Sequence, residues 1–202
     1  MIAIVPASAG FGQAELQLDI DDTEHERRRT AGLGVATGYG FGGLDVLMAL
    51  PHGLPVPVAD LTDHQRAYVR RAPAGICTVD DGHVTRHVTR PCRVTLATVR
   101  PSIPTRVALD AASQFSPFCA RQVVFTRPLD RLAFPEQLLD FGVYGIGVFL
   151  QYPDGELETL ARPRPWRPKQ HTPETWWFEE RAYGQFLAQQ PTAEIPADAP
   201  AP

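Results

Sequence analysis

The chain has no asparagine, a single lysine, two methionines and only three cysteines among its 202 residues. Each scarcity removes a class of chemistry. A Walker-type phosphate loop needs lysine directly after glycine and before serine or threonine, and Lys169 lies between Pro168 and Gln170. Schiff-base chemistry would have to rest on that same residue, in a proline-rich stretch without an evident desolvated pocket. Cys77, Cys92 and Cys119 form an odd set without regular spacing, unlike a secreted disulfide framework. They read as small buried hydrophobes in a reducing cytoplasm. Long apolar runs are missing too, and Met1 to Gly12 places no basic residue before its short apolar run, so neither export nor membrane insertion is expected. Positive charge is also short: 19 Lys and Arg against 23 Asp and Glu leave a formal charge of −4. A protein that holds nucleic acid by bulk attraction would carry the opposite balance, so any basic surface must be local. The preference for Arg over Lys, with 20 Pro and 16 Gly, fits the codon bias of a GC-rich genome better than a physical demand.

What remains is an ordinary globular composition, 44% hydrophobic and 21% charged. Residues 1–187 offer no apolar-poor linker and read as a single α+β domain, whereas the Pro- and Ala-rich residues 188–202 lack the side chains to build a core and are expected to be disordered. Ala14 to Asp21 alternate apolar and polar as a half-buried strand requires. Asp22 to Thr30 reads equally as a helix or a polar loop. From Gly32 to Gly42 every even position is Gly or Ala, which predicts a strand with one bare face, packed closely by a neighbour or serving as a ligand floor. Gly43 to Leu50 fits a helix or a buried strand, and Pro51 to Val58 a loop or an edge. Asp60 or Thr62 is placed to cap a helix running to about Arg71. Asp80-Asp81-Gly82 predicts a type I′ hairpin turn between Ile76–Val79 and His83–Thr89. Arg93 to Arg100, Arg106 to Asp110 and Gln122 to Arg127 are strand-like, and Leu129 to Phe141 suggests a short helix near Pro135. Pro153-Asp154-Gly155 predicts a second hairpin. Thr172 and Pro173 open a final helix to about Gln189. The expected fold is α+β: a largely antiparallel sheet with two hairpins, a mid-chain helix and a C-terminal helix packed on the sheet.

Four constellations bear on function. Cys77, His83, His87 and Cys92 are all metal-ligating types, but four residues of strand set the two imidazoles ~13 Å apart, too far to share one ion. Asp19 and Asp21 lie on one side of a strand end and fit a Mg²⁺ or Mn²⁺ site if Glu24 or Asp45 adds a third ligand. A nucleophilic serine elbow is missing, and Cys119 has no readable partner. The densest feature is Arg162, Arg164, Trp166, Arg167, Lys169 and His171, cationic groups and one indole on a backbone that prolines keep extended. Guanidinium groups pair phosphates or carboxylates, and Trp166 is suited to stack on a base. In the last helix, Trp176, Phe178, Ala182, Tyr183, Phe186 and Leu187 share one face. Trp177 falls outside it, either to pack beneath the Arg/Pro segment or to meet another chain. The expected function is therefore non-catalytic binding of nucleic acid or an acidic protein partner through the Arg/Pro/Trp segment and Trp177. The alternative is a metal-dependent hydrolase centred on Asp19 and Asp21 or on a histidine. No residue pattern names a cofactor.

Overall fold

In a computed structural model, residues 1–7, 10, 12–36, 40–126, 134–167 and 171–190 are described. The chain runs β1 (Ile2–Pro6), β2 (Ala14–Ile20), α1 (Asp22–Thr30), α2 (Gly40–Ala49), β3 (Pro55–Pro57), α3 (Asp63–Val69), β4 (Cys77–Asp80), β5 (His83–Arg86) and β6 (Cys92–Val99). There follow α4 (Arg106–Ser113), β7 (Ala120–Phe125), α5 (Pro135–Val143), β8 (Gly147–Gln151), β9 (Leu157–Ala161) and α6 (Pro173–Gln189). This is the expected α+β architecture. Six strands form one sheet in the order β1-β2-β6-β7-β8-β9, and β3-β5-β4 form a second, antiparallel one. The larger sheet is mixed: β6, β7 and β8 are parallel, joined through α4 and α5, while β1, β2 and β9 are antiparallel additions. Parallel neighbours need a crossover, and helices supply it.

The alternation in β2 has the predicted sense, with Ala14, Leu16, Leu18 and Ile20 buried. They join Val94, Ala97, Val123 and Val148 of neighbouring strands and Phe178, Tyr183 and Phe186 of α6 in the principal core. A second cluster gathers Leu44, Leu47, Tyr68, Ile76, Val84 and Trp176 under the small sheet. Because α6 contributes to both, it joins the two.

Both predicted hairpins form. Asp81 and Gly82 take φ of 43° and 70°, the positive pair a type I′ turn demands. In the second, the Gly155 N–H donates to the Tyr152 carbonyl at 2.9 Å and closes the turn. Thr62 caps α3 with a full capping box, and Thr172 caps α6 with Pro173 in its first turn. β3, with prolines at both ends, lies at the edge of its sheet.

Two local expectations are corrected. The described residues of the Gly/Ala alternation from Gly32 to Gly42, which exclude 37–39, form no strand: Gly32, at φ 63°, ends α1, with Leu33 N–H donating to the Arg28 carbonyl and Gly32 N–H to that of Arg29. This is a Schellman motif, for which a glycine in the left-handed region is the standard residue. Residues 40–49 then form α2. Arg106 to Asp110 is not a strand either. Thr105 accepts the Ala108 N–H at 3.3 Å and starts α4, which buries Ala108, Leu109 and Ala112 at helical spacing and leaves Val107 exposed. The polar stretch 22–30 is a helix, capped by Asp21. Residues 191–202 of the expected tail lie outside the described residues, and among those described no helix is long and apolar enough to cross a membrane.

Candidate functional site

The Arg/Pro segment follows directly from β9, whose last residue, Ala161, pairs with Val148. Pro163 lies over Gly147, so close that a Cβ there would stand 2.7 Å from the proline Cδ; only glycine admits the contact. Arg164 N–H donates to the Gly145 carbonyl at 3.0 Å, and the Trp166 indole N–H donates to the Ser116 carbonyl at 3.1 Å. Beyond residues 168–170, which include Lys169 and lie outside the described residues, the His171 Nδ1 accepts from Arg90. Gly145, Ser116 and Arg90 precede β8, β7 and β6. The segment is therefore a belt across the starts of the three parallel strands, and its prolines suit it to span them without ladder bonds of its own.

Arg162, Arg164 and Arg167 are exposed along this belt, and Trp166 is half-buried. Arg121, the second residue of β7, is half-buried and donates to the Tyr144 carbonyl at 2.8 Å. None of the four guanidinium groups pairs with a carboxylate among the described residues, although most of the remaining arginines do. Burial holds Arg121 below the usual arginine range, against the opposing pull of Cys119 and with a smaller push from the charge of Arg164. Arg121 and Arg164 thus bring like charge together at this end of the sheet.

The other residues singled out in the sequence fall elsewhere. Trp177 packs against the second cluster, with the Arg181 guanidinium 4.5 Å above its ring. It is half-buried there. His83 donates through Nδ1 to the Asp81 carbonyl and His87 bonds Thr78, so each has a local partner in or beside a strand. All three cysteines are free and buried; burial pushes the Cys77 thiol up to about 11 and Cys119 to about 12, far from thiolate chemistry.

Asp19 and Asp21 do meet a third carboxylate, that of Glu179, around an open depression of about 320 Å³ also lined by Arg90, Cys92 and Arg93. Their bonds are already assigned. Asp21 accepts the Glu24 N–H at 3.0 Å as the cap of α1, Asp19 pairs with Arg93 at 3.5 Å, and Glu179 with Arg90 at 3.0 Å. Glu24 is buried among arginines, and Asp45 is exposed on α2. No three His, Cys, Asp or Glu side chains among the described residues are gathered to hold an ion. Burial pushes Glu179 up to about 7 against the pull of Arg90. The Arg90 charge, then burial, lowers His171.

Sequence reasoning missed a buried ionic centre. Arg28 donates through Nε to Glu24 at 2.7 Å, through Nη1 and Nη2 to Glu180 at 2.8 and 2.7 Å, and again through Nη2 to the Thr89 carbonyl at 2.7 Å. Glu180 also accepts from the Trp176 indole at 2.8 Å and from the Ala36 N–H at 2.7 Å. Arg28 is 1% exposed and Glu180 0%. Burial raises the Glu24 carboxyl, but Arg27 and Arg28 outweigh it and hold the group below the ordinary carboxylate range. Burial opposes the charge on Arg28, yet its two carboxylates raise it overall. With its acceptors saturated by fixed donors, Glu180 is organised to join α1, α6 and the residue 33–36 connection. The available signal was Glu24 and Arg28, four apart in a helix without an apolar stripe.

Comparison with family models, curated proteins and solved structures gives no match.

Proposed function

We propose that this chain is a non-catalytic binding protein that engages a polyanion, nucleic acid or an acidic protein face, along the belt from Arg162 to Arg167. The observation that carries this reading is the row of Arg162, Arg164 and Arg167, exposed and without carboxylate partners among the described residues, with Arg121 of β7 beside Arg164. Unbalanced guanidinium groups on a rigid support favour an anionic ligand, because the cost of ordering the backbone is met before binding. The net charge of −4 keeps the attraction confined to this end of the molecule. Three buried free thiols suit a reducing compartment, and we place the protein in the cytoplasm.

Exchanging Arg162, Arg164 and Arg167 together for Ala tests the reading. Parent protein should be retained on heparin and bind a labelled single-stranded oligonucleotide or a poly-glutamate peptide with strong salt dependence. For the oligonucleotide, the triple variant should lose about 2 units of the log–log salt slope, at ~0.7 per phosphate contact. The two probes separate the nucleic-acid reading from the acidic-protein one. Equal retention and equal slopes in parent and variant would end both.

A further inference from the structure

We infer that β1 is the dimerisation edge of this protein, pairing antiparallel with β1 of a second copy about a twofold axis at Ala3. β1 lies at one end of the six-stranded sheet and pairs in sequence register with β2 alone. Met1 and Ala7 mark the phase of that ladder: the Ile20 N–H donates to the Met1 carbonyl and the Ala7 N–H to that of Ala14. In an antiparallel pair the bonded residues alternate, so Met1, Ala3, Val5 and Ala7 face β2, and Ile2 and Ile4 direct their N–H and C=O groups away from it. Among the described residues nothing bonds these outward groups.

Edge strands are normally protected by charge, proline, a bulge or brevity. β9 carries Glu158 and a register shift against β8; β3 has three residues with a proline at each end; β4 has four residues and ends at Asp80. β1 reads Ile-Ala-Ile-Val-Pro, without charge or bulge, and keeps Ile2 61% and Ile4 63% exposed on the sheet face opposite α6. Pro6, which has no N–H, interrupts only its far end.

A second copy is the occupant that this edge matches. Setting Ala3 opposite Ala3 of the partner copy places Ile2 opposite Ile4 and Ile4 opposite Ile2, each a hydrogen-bonded pair. All four outward groups of each copy are satisfied, and Pro6 stays out of the ladder. Shifting the axis to Ile2 leaves Ile4 unmatched, and shifting it to Ile4 brings Pro6 opposite Ile2. The same arrangement sets four isoleucines side by side on one face, the β-branched cross-strand contact that stabilises sheets, with no charge to repel. The partner contributes what the free edge lacks, and twofold symmetry makes the contact isologous. One five-residue edge is a small contact, so the dimer should be reversible and favoured by concentration.

Sedimentation equilibrium from micromolar to millimolar protein tests this, with an expected rise from 22.2 kDa toward twice that mass. Ile4→Pro removes an outward N–H without touching a β1–β2 bond and should remain monomeric. Ile4→Lys, a surface change at an exposed position, should do the same and guards against misfolding of the proline variant. Ala3→Cys should cross-link under mild oxidation, because Ala3 faces Ala3 of the second copy at the short Cα separation of a non-bonded pair, about 4.5 Å. A parent chain that stays monomeric at millimolar concentration overturns the inference. So does dimerisation that survives both Ile4 substitutions, or a parent dimer in which Ala3→Cys fails to cross-link.

Discussion

Glu179 and Glu180 are adjacent on one helix, and their surroundings divide them. Glu180 takes four hydrogen bonds, two from Arg28 and one each from Trp176 and Ala36, at 2.7–2.8 Å, whereas Glu179 has Arg90 alone, at 3.0 and 3.2 Å. One guanidinium at the rim of a depression does not offset the desolvation of Glu179, which rises from 4.5 to about 7. The folded chain therefore holds a proton that the unfolded chain releases between those two values, so this residue makes stability fall as pH rises through that window, by at most ~1.4 kcal/mol per pH unit. Glu24, held low, acts in the opposite sense and loses its contribution only as pH drops below the ordinary carboxylate range. Urea midpoints measured at intervals from pH 4.5 to 7 should fall more steeply for the parent than for Glu179→Gln, which has no proton to lose. The comparison cancels the histidines, common to both chains. Identical profiles would show that Glu179 titrates where an exposed glutamate does.

At the scale of the element, the belt shows how a segment without regular structure is fixed by its neighbours. Its prolines set an extended backbone, but its path depends on the bare face of Gly147, on which Pro163 rests. Gly147→Ala would bring a methyl group to 2.7 Å from the proline Cδ and 2.9 Å from its nitrogen, so the belt must shift. We expect a stability loss of about 1–3 kcal/mol, the usual cost of overpacking, with weaker heparin retention although no charge has changed. Unaltered retention with lowered stability would separate the belt's path from binding. Much of this layout was legible in the sequence: both hairpins, the caps at Thr62 and Thr172, the alternation of β2 and the extended Arg/Pro run are specified by residues within a few positions of one another. What escaped was decided elsewhere. α4 was hidden because Val107, Ala108 and Leu109 read as a β run until Thr105 is recognised as a cap. Gly32 carried no pleat, since it was needed for its positive φ. The Arg28–Glu180 contact spans 152 residues, and no local rule brings an arginine from a polar helix into a core. The belt's residues and the strands β6, β7 and β8 were both legible, but not that the one crosses the starts of the others, since that rests on contacts such as Trp166 with Ser116, 50 residues apart.

For the whole molecule, the question is whether two apolar clusters make one cooperative unit. Separate cores often unfold separately, and the small sheet is covered chiefly by the second cluster. Two features oppose that separation. α6 places Phe178, Tyr183 and Phe186 in the principal core and Trp176 in the other, so neither cluster can lose the helix without exposing both. The Glu24–Arg28–Glu180 centre lies at the same junction and is tied to Thr89 and Ala36; opening it would strand buried charge, at a cost typically of about 3–5 kcal/mol. We therefore expect far-ultraviolet circular dichroism, which reports all helices, and tryptophan fluorescence, dominated by Trp176 and Trp177 of the second cluster, to give one coincident urea transition. Trp176→Ala should lower both midpoints together, by about 3–5 kcal/mol in stability, with the remaining two tryptophans as reporters. If fluorescence is lost before ellipticity in the parent chain, the small sheet opens on its own and α6 is a contact between two units instead of the element that fuses them.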